Sequence, residues 1–362
     1  MKTLLIFLLV FFLLYNCSCS TKTENNDMQD KIKTELITID SLLRDTDYNA
    51  LMAQALEAAY YVGTGQAVMP FLAPGEDTGM KKKSVKEDKI ATNIAGFYAL
   101  ECGIGWLSSQ TNETPVIWLK KIVDKTIDAA SIALLNRFAN ATWKAGQPFR
   151  GTERLQRSTF TCFNFLPENE VKKDYDQYVT AAAKLLSAMQ NVSDSNTDTQ
   201  MHKLKELMQD ENFTVSMADS MHAGYYTRAQ QKAPAFFTPE DDTATILKSV
   251  KDEKIATNVA GFYALECGLS YFAAKNILPS DMLRAIVDST INSNDKMLLQ
   301  RFANATWKAG QPFRGLDRIH RDNFVPFYFL DETEIEKDWI QIKAAAGKLL
   351  TDISGVTDKG NK

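Results

Sequence analysis

The chain contains two identical copies of one segment, RFANATWKAGQPFRG, at positions 137–151 and 301–315. A second segment is also duplicated, because ATN and AGFYALECG within 90–103 recur within 255–268. The two segments recur at offsets of 164 and 165 residues, and repetition at nearly constant spacing indicates that the chain is built from equivalent structural units. We therefore predict two homologous halves, and the concentration of identity in two blocks indicates constraint there from packing or from function.

The matches that flank these segments set the boundaries of the two halves. We predict a first repeat over residues 37–190 and a second over 202–354. The intervening residues 191–201 are polar, which is typical of an exposed linker. Residues 20–36 are predicted to form a tether, and 355–362 a short tail.

Both repeats are predicted to be helical. Apolar residues spaced three to four apart predict four helices in the first repeat, at about 47–66, 84–109, 115–145 and 167–190. Pro115 suits the first position of a helix, and patterns typical of strands are scarce. Long amphipathic helices with short connections predict an all-α protein, a tandem duplication of an antiparallel four-helix bundle.

Residues 1–19 have the features of a secretory signal peptide. A basic start precedes an apolar run that is too short to cross a bilayer. Cys17 and Cys19 follow this run and resemble the lipidated cysteine of bacterial lipoproteins; Cys17 is preferred because Leu14 lies three residues before it, and Cys19 is the alternative. The resemblance implies a lipid-anchored protein of the bacterial cell envelope, on the periplasmic or outer-membrane surface. A signal peptide without a lipid remains open.

Several classes of function lack support in the sequence. The net charge is −4 and long basic runs are missing, which argues against nucleic acid as a partner. The three histidines, His202, His222 and His320, have no histidine at the matching position of the other repeat, so no repeated histidine metal site is predicted. Nucleophile elbows, phosphate loops and zinc-protease motifs are missing as well. The sequence therefore favours a non-enzymatic protein, with no catalytic residue, metal or cofactor assigned.

A glutamate occupies the apolar seam of the second helix in each repeat. Glu101 follows apolar residues spaced by four, three and four, and Glu266 is its equivalent. A buried carboxylate needs a partner, and the next helix offers Arg137 or, in the second repeat, Arg301. We predict the pairs Glu101–Arg137 and Glu266–Arg301, serving either to fix helix register or as the floor of a ligand site.

An arginine cluster follows the third helix of each repeat. It comprises Arg150, Arg154 and Arg157, which recur as Arg314, Arg318 and Arg321. Guanidinium groups bind carboxylate and phosphate through paired hydrogen bonds, so the cluster predicts an anion-accepting mouth unless nearby carboxylates neutralise it. The complete set of candidate ligand-binding residues is Tyr98, Glu101, Arg137, Asn140, Lys144 and Arg150, with Tyr263, Glu266, Arg301, Asn304, Lys308 and Arg314.

Two neighbouring tyrosines in each repeat are interpreted as core aromatics whose hydroxyls lie at the rim. These are Tyr60 with Tyr61, and Tyr225 with Tyr226.

The hexapeptide GFYALE at 96–101, repeated at 261–266, resembles the G-x-H-x-x-E motif of imelysin-like proteins. These are exported bacterial proteins of two helical bundles that are linked to iron uptake or described as peptidases. In both copies tyrosine stands where the family has histidine. The resemblance implies that the glutamate of each copy takes the place of the motif's carboxylate, without a histidine-dependent metal site.

These observations lead to one preferred function and two alternatives. We expect an exported, lipid-anchored, non-enzymatic binding protein with two homologous sites for an anionic or polar ligand or a protein partner. The alternatives are an imelysin-like protein that handles metal or is related to peptidases, and an envelope protein-interaction or immunity-type lipoprotein. The expected partners are the membrane, through the N-terminal lipid, and a small anionic ligand or an envelope protein.

Overall fold

The computed structural model describes residues 27–189, 192, 196–228 and 230–357. The predicted signal peptide and the candidate lipidation sites Cys17 and Cys19 lie outside these residues. In the described part of the chain, every helix is too short or too polar to cross a membrane.

The described residues form twelve α-helices and two short strands, so the predicted all-α class is confirmed. The first half contains α1 (27–44), α2 (Thr46–Gly63), β1 (Met80–Ser84), α3 (Val85–Gln110), α4 (Pro115–Val123), α5 (Ala129–Gly146) and α6 (Glu168–Ala188). The second half contains α7 (Thr197–Gln209), α8 (Glu211–Arg228), β2 (Thr245–Ser249), α9 (Val250–Ala273), α10 (Pro279–Val287), α11 (Ser293–Arg314) and α12 (Glu332–Thr357). The same elements follow one another in both halves.

The third predicted helix, 115–145, is in fact two helices. The chain leaves α4 through Lys125, which has a left-handed backbone with φ of 56°. It enters α5 at Asp128, whose carboxylate accepts a hydrogen bond from the Ser131 amide at 2.9 Å. The second half breaks in the same way, with Ser289 at φ 59°. A helix cannot continue through a left-handed residue, and the capping aspartate starts the next one.

Two segments predicted to be unstructured connections are partly helical. Helix α1 covers residues 27–36 of the predicted tether 20–36, and it buries Ile32 and Leu36 in the core. Helix α7 begins at Thr197, inside the predicted linker 191–201. Both helices are short and amphipathic, and packing against the rest of the molecule stabilises such helices more than intrinsic propensity does.

Four helices form the centre of the molecule: α3 and α5 from the first repeat, and α9 and α11 from the second. Helices α3 and α9 are buried on nearly all sides. Helix α3 packs against α5 of its own repeat and equally closely against α11 of the other. The core is therefore shared between the repeats.

The outer helices are exchanged between the repeats. Helix α2 packs on α9 and α12, which belong to the second repeat, whereas α8 packs on α3 and α6, which belong to the first. The prediction of two self-contained four-helix bundles is therefore wrong. The two repeats carry almost the same apolar faces, so a helix can cover the equivalent face of the other copy as well as that of its own.

A pseudo-two-fold axis relates the two repeats. Phe138 stacks on its own equivalent Phe302, with ring centroids 4.0 Å apart and planes 11° apart. Phe149 likewise stacks on its equivalent Phe313, at 5.1 Å and 3°, and β1 pairs antiparallel with β2. The identical segments 137–151 and 301–315 meet at this axis. A substitution in one segment therefore affects its packing against the other segment.

Candidate binding clefts

The buried glutamates pair with lysines of the opposite repeat. The Glu101 side chain is fully buried, and its Oε2 lies 2.6 Å from Nζ of Lys308 on α11. Its Oε1 accepts a hydrogen bond of 3.0 Å from the Phe327 amide. Both carboxylate oxygens therefore have partners, as a buried charge requires.

The equivalent site in the other half repeats this arrangement. Glu266 forms an ion pair with Lys144 of α5, and its Oε1 accepts a hydrogen bond of 2.9 Å from the Phe163 amide. Burial alone would lower the pKa of Lys144, but the Glu266 carboxylate raises it above its ordinary value. Both halves thus hold a buried lysine–glutamate ion pair in the interior.

The predicted pair Glu101–Arg137 is wrong, as is its counterpart Glu266–Arg301. Nε of Arg137 donates to Oγ of Ser270 at 3.1 Å, and its guanidinium lies over the Phe163 ring at 4.5 Å. The prediction assumed that the side chains along one face of α5 reach Glu101 on α3 of the same repeat. The side chain that reaches Glu101 is instead Lys308, on the equivalent face of α11. Helix periodicity gives the positions on a stripe but not the repeat that it faces.

Most of the predicted site residues lie in the interior. Tyr98 and Tyr263 are fully buried, and burial raises the pKa of both phenols above the ordinary value. The Tyr263 hydroxyl donates to Oδ1 of Asn49 at 2.7 Å. Arg301 and Asn140 are also buried. These side chains are enclosed in the interior, whereas Arg150, Arg314 and Asn304 line two open clefts.

The larger cleft, which we call the Arg314 cleft, has a volume of about 480 Å³. Its counterpart around the pseudo-two-fold axis, the Arg150 cleft, has about 410 Å³. Equivalent residues line the two clefts. The Arg314 cleft has Tyr60, Tyr61, Thr257, Asn258, Trp307, Arg314, Arg321 and Asp338, and the Arg150 cleft has Tyr225, Tyr226, Thr92, Asn93, Trp143, Arg150, Arg157 and Asp174.

Each cleft is built from both repeats. The tyrosine pair comes from the exchanged helix, α2 in the Arg314 cleft and α8 in the Arg150 cleft. The asparagine, tryptophan, arginines and aspartate come from the other repeat. The interpretation of these tyrosines as core aromatics is therefore wrong: they line the clefts, Tyr225 is 44% exposed and the other three are half-buried. The distance along the sequence between the tyrosines and the arginines does not predict that they share a cleft, because the exchange of helices places the tyrosines of one repeat beside the arginines of the other.

One arginine in each cleft is partly buried without an acidic partner. Burial, together with the guanidinium groups of Arg154 and Arg157, lowers the pKa of Arg150 to about 10. Burial and the equivalent pair, Arg318 and Arg321, lower the pKa of Arg314 to about 10 as well. Both remain charged near neutral pH.

Within the described residues, neither of these two guanidinium groups has an ion pair or a hydrogen bond. The carboxylate closest to the first cluster is Glu153, which lies 4.0 Å from Nε of Arg154 and is largely exposed. Of the neighbouring carboxylates, Asp88 forms an ion pair with Lys248 at 3.1 Å and Glu253 forms one with Lys83 at 3.2 Å. Glu153 thus lies beside Arg154, but Arg150 and Arg314 themselves have no ion-pair partner in the described part of the chain.

The described residues contain no group of three or more histidine, cysteine, aspartate or glutamate side chains that could hold a metal ion. Comparison with family models, curated proteins and solved structures found none that matches this chain. The resemblance to imelysin-like proteins therefore stays a prediction.

Proposed function

We propose that this chain is an exported, lipid-anchored, non-enzymatic binding protein that takes a small anionic ligand in each of its two clefts. The observation that carries the proposal is the pair of partly buried arginines, Arg150 and Arg314, which face equivalent clefts without acidic partners.

Electrostatics supports an anion in these clefts. Removing a charge from water is unfavourable unless a partner offsets the loss of hydration, and the clustered guanidinium groups also repel one another. A bound carboxylate or phosphate would relieve both effects and could accept two parallel hydrogen bonds from one guanidinium. The duplication supports a ligand as well, since the same residues recur around both clefts.

The remaining lining residues suit a ligand with a flat or apolar part next to its anionic group. Trp307, Tyr60 and Tyr61 supply aromatic surface in the Arg314 cleft, and Asn258 supplies an amide for hydrogen bonding. Small-molecule sites combine apolar walls with a few polar groups in this way.

Binding of phenylacetate and phenyl phosphate to the purified protein, measured by isothermal titration calorimetry, tests this proposal. We expect two sites in the unmodified chain, with one lost in Arg150→Met and the other in Arg314→Met. Loss of a charge-assisted hydrogen-bonding partner should weaken each site about 10- to 100-fold. The neutral alcohol 2-phenylethanol should bind far more weakly than either anion.

Arg154→Met is the matched control, because Arg154 belongs to the same cluster but does not line the cleft. It should keep both sites. The proposal is wrong if neither anion binds, or if the variants at positions 150 and 314 bind as well as the unmodified chain.

The proposed location rests on the predicted signal peptide and its cysteines, which lie outside the described residues. Multiple acyl chains hold a protein firmly on a membrane, whereas one chain does so only marginally. The double variant Cys17→Ser/Cys19→Ser should therefore move from the membrane fraction to the soluble fraction of the cell envelope. Retention of the double variant in the membrane fraction would contradict a lipid anchor.

A further inference from the structure

The two clefts differ at the position of Glu57 and its equivalent His222. Glu57 lines the Arg314 cleft from α2, about one turn before the tyrosine pair. The equivalent residue on α8 is His222, which lines the Arg150 cleft in the same relation to its own tyrosine pair. A carboxyl group in one cleft is thus replaced by an imidazole in the other.

Two carboxyl groups of the Arg314 cleft, those of Glu57 and Asp338, form no ion pair among the described residues. Glu57 has no ion pair or hydrogen bond among the described residues, and burial raises its pKa above the ordinary value. The nearby Lys254 is engaged elsewhere, at 3.4 Å from Glu76. Burial raises the pKa of Asp338 to about 7, and its one hydrogen bond is a long contact of 3.4 Å from Asn304.

The other acidic residues of the Arg314 cleft are already paired. Glu253 forms ion pairs with Lys81 and Lys83, and Glu334 forms one with Lys337. Glu57 and Asp338 are therefore the carboxyl groups available to a ligand, and they line the same cleft as Arg314.

The described residues that line the Arg150 cleft include more basic side chains than acidic ones. Nε2 of His222 is buried and has no hydrogen-bond partner, and Asp174 is the single carboxylate among the described lining residues. The side chains of Arg150 and Arg157 line the same cleft. This cleft offers two guanidinium groups and an imidazole to a ligand.

We propose that the Arg314 cleft binds zwitterionic ligands, which carry an anionic group for Arg314 and an ammonium group for Glu57 and Asp338, whereas the Arg150 cleft binds ligands that are anionic only. This inference rests on the proposed function, because it assigns a ligand class to each of the same two clefts. The ammonium group would supply the charge that the two carboxyl groups lack. In the Arg150 cleft the same group would meet the guanidinium groups of Arg150 and Arg157, and like charges disfavour binding.

Three probes that share an aromatic ring and differ in charge test this assignment: phenylacetate, phenylalanine and phenethylamine. Each cleft is read alone in the full chain, the Arg314 cleft in Arg150→Met and the Arg150 cleft in Arg314→Met. We expect the Arg314 cleft to bind phenylalanine at least about 10-fold more tightly than phenylacetate, as one charge-assisted contact warrants. The Arg150 cleft should show the reverse preference, and phenethylamine should bind weakly to both.

An exchange of the two residues provides the decisive variants. Adding Glu57→His to Arg150→Met should move the preference of the Arg314 cleft towards phenylacetate. Adding His222→Glu to Arg314→Met should move that of the Arg150 cleft towards phenylalanine. Glu57→Gln serves as the milder variant, and thermal unfolding of every variant checks that it is folded.

The outcomes separate this inference from the proposed function. If anions bind through both arginines but the two clefts share one preference, or the exchanges leave the preferences unchanged, the assignment of ligand classes is wrong and anion binding stands. If no probe binds and the arginine variants change nothing, both proposals are wrong.

Discussion

Replacing Lys308 with methionine is expected to destabilise the protein by about 3 to 5 kcal/mol, because the change leaves the Glu101 carboxylate buried without its counter-charge. The two groups are 2.6 Å apart and both side chains are fully buried. Urea unfolding followed by circular dichroism measures the loss. The equivalent variant, Lys144→Met, should lose a similar amount, because Lys144 pairs with Glu266 in the same way.

The double variant Glu101→Leu/Lys308→Met should recover part of that stability, since no charge is then left unpaired. Recovery should be incomplete because the Phe327 amide, which donates to Glu101, loses its acceptor. The control is the cycle of Glu101→Leu and Arg137→Met. These residues do not pair, so their effects should add within about 0.5 kcal/mol. Additive losses for Glu101 and Lys308, with no coupling between them, would contradict the pairing across repeats.

Replacing Phe138 with alanine should cost about 3 to 5 kcal/mol, the range for removing a large aromatic ring from a packed core. Phe138 and Phe302 are both fully buried, and they stack on one another at the pseudo-two-fold axis. Phe302→Ala should therefore have nearly the same effect, measured again by urea unfolding.

The double variant Phe138→Ala/Phe302→Ala should lose less than the two single variants together, because both remove the same ring contact. The second axial pair, Phe149 with Phe313, provides a matched comparison with slightly more exposed rings. Strictly additive losses at positions 138 and 302 would show that the rings do not share a contact at the axis.

Local signals in the sequence predicted local structure well. The helix predicted at 84–109 is α3, and Ser84 caps it by accepting a hydrogen bond from the Glu87 amide at 3.3 Å. The predicted first position of Pro115 is also observed. These features depend on a few neighbouring residues, so their cause is visible in the sequence. The break at Lys125 was missed because a left-handed turn at a residue other than glycine has no strong sequence signal.

The arrangement of the helices could not be predicted from periodicity. The apolar and polar stripes of α5 recur on α11, so each stripe fits α3 or α9 equally well on sequence grounds. For this reason the partner of Glu101 was assigned to Arg137 and not to Lys308, although Lys308 was among the candidate residues. The arginines of the clefts could be predicted from the sequence because a guanidinium group suits anions wherever the fold places it. The tyrosines that complete the clefts depend on the exchange of α2 and α8.

The exchange of helices also constrains the order in which the chain can fold. Helix α2 ends at Gly63, but the helix on which it packs begins at Val250. The face of α3 that α8 covers cannot be buried until residues beyond 210 have been made. Contacts between such distant segments form slowly, because the loop between them must close before the contacts stabilise the fold. A growing chain that ends before Val250 therefore lacks the helices that cover α2, and the shared core can be completed only when both halves are present.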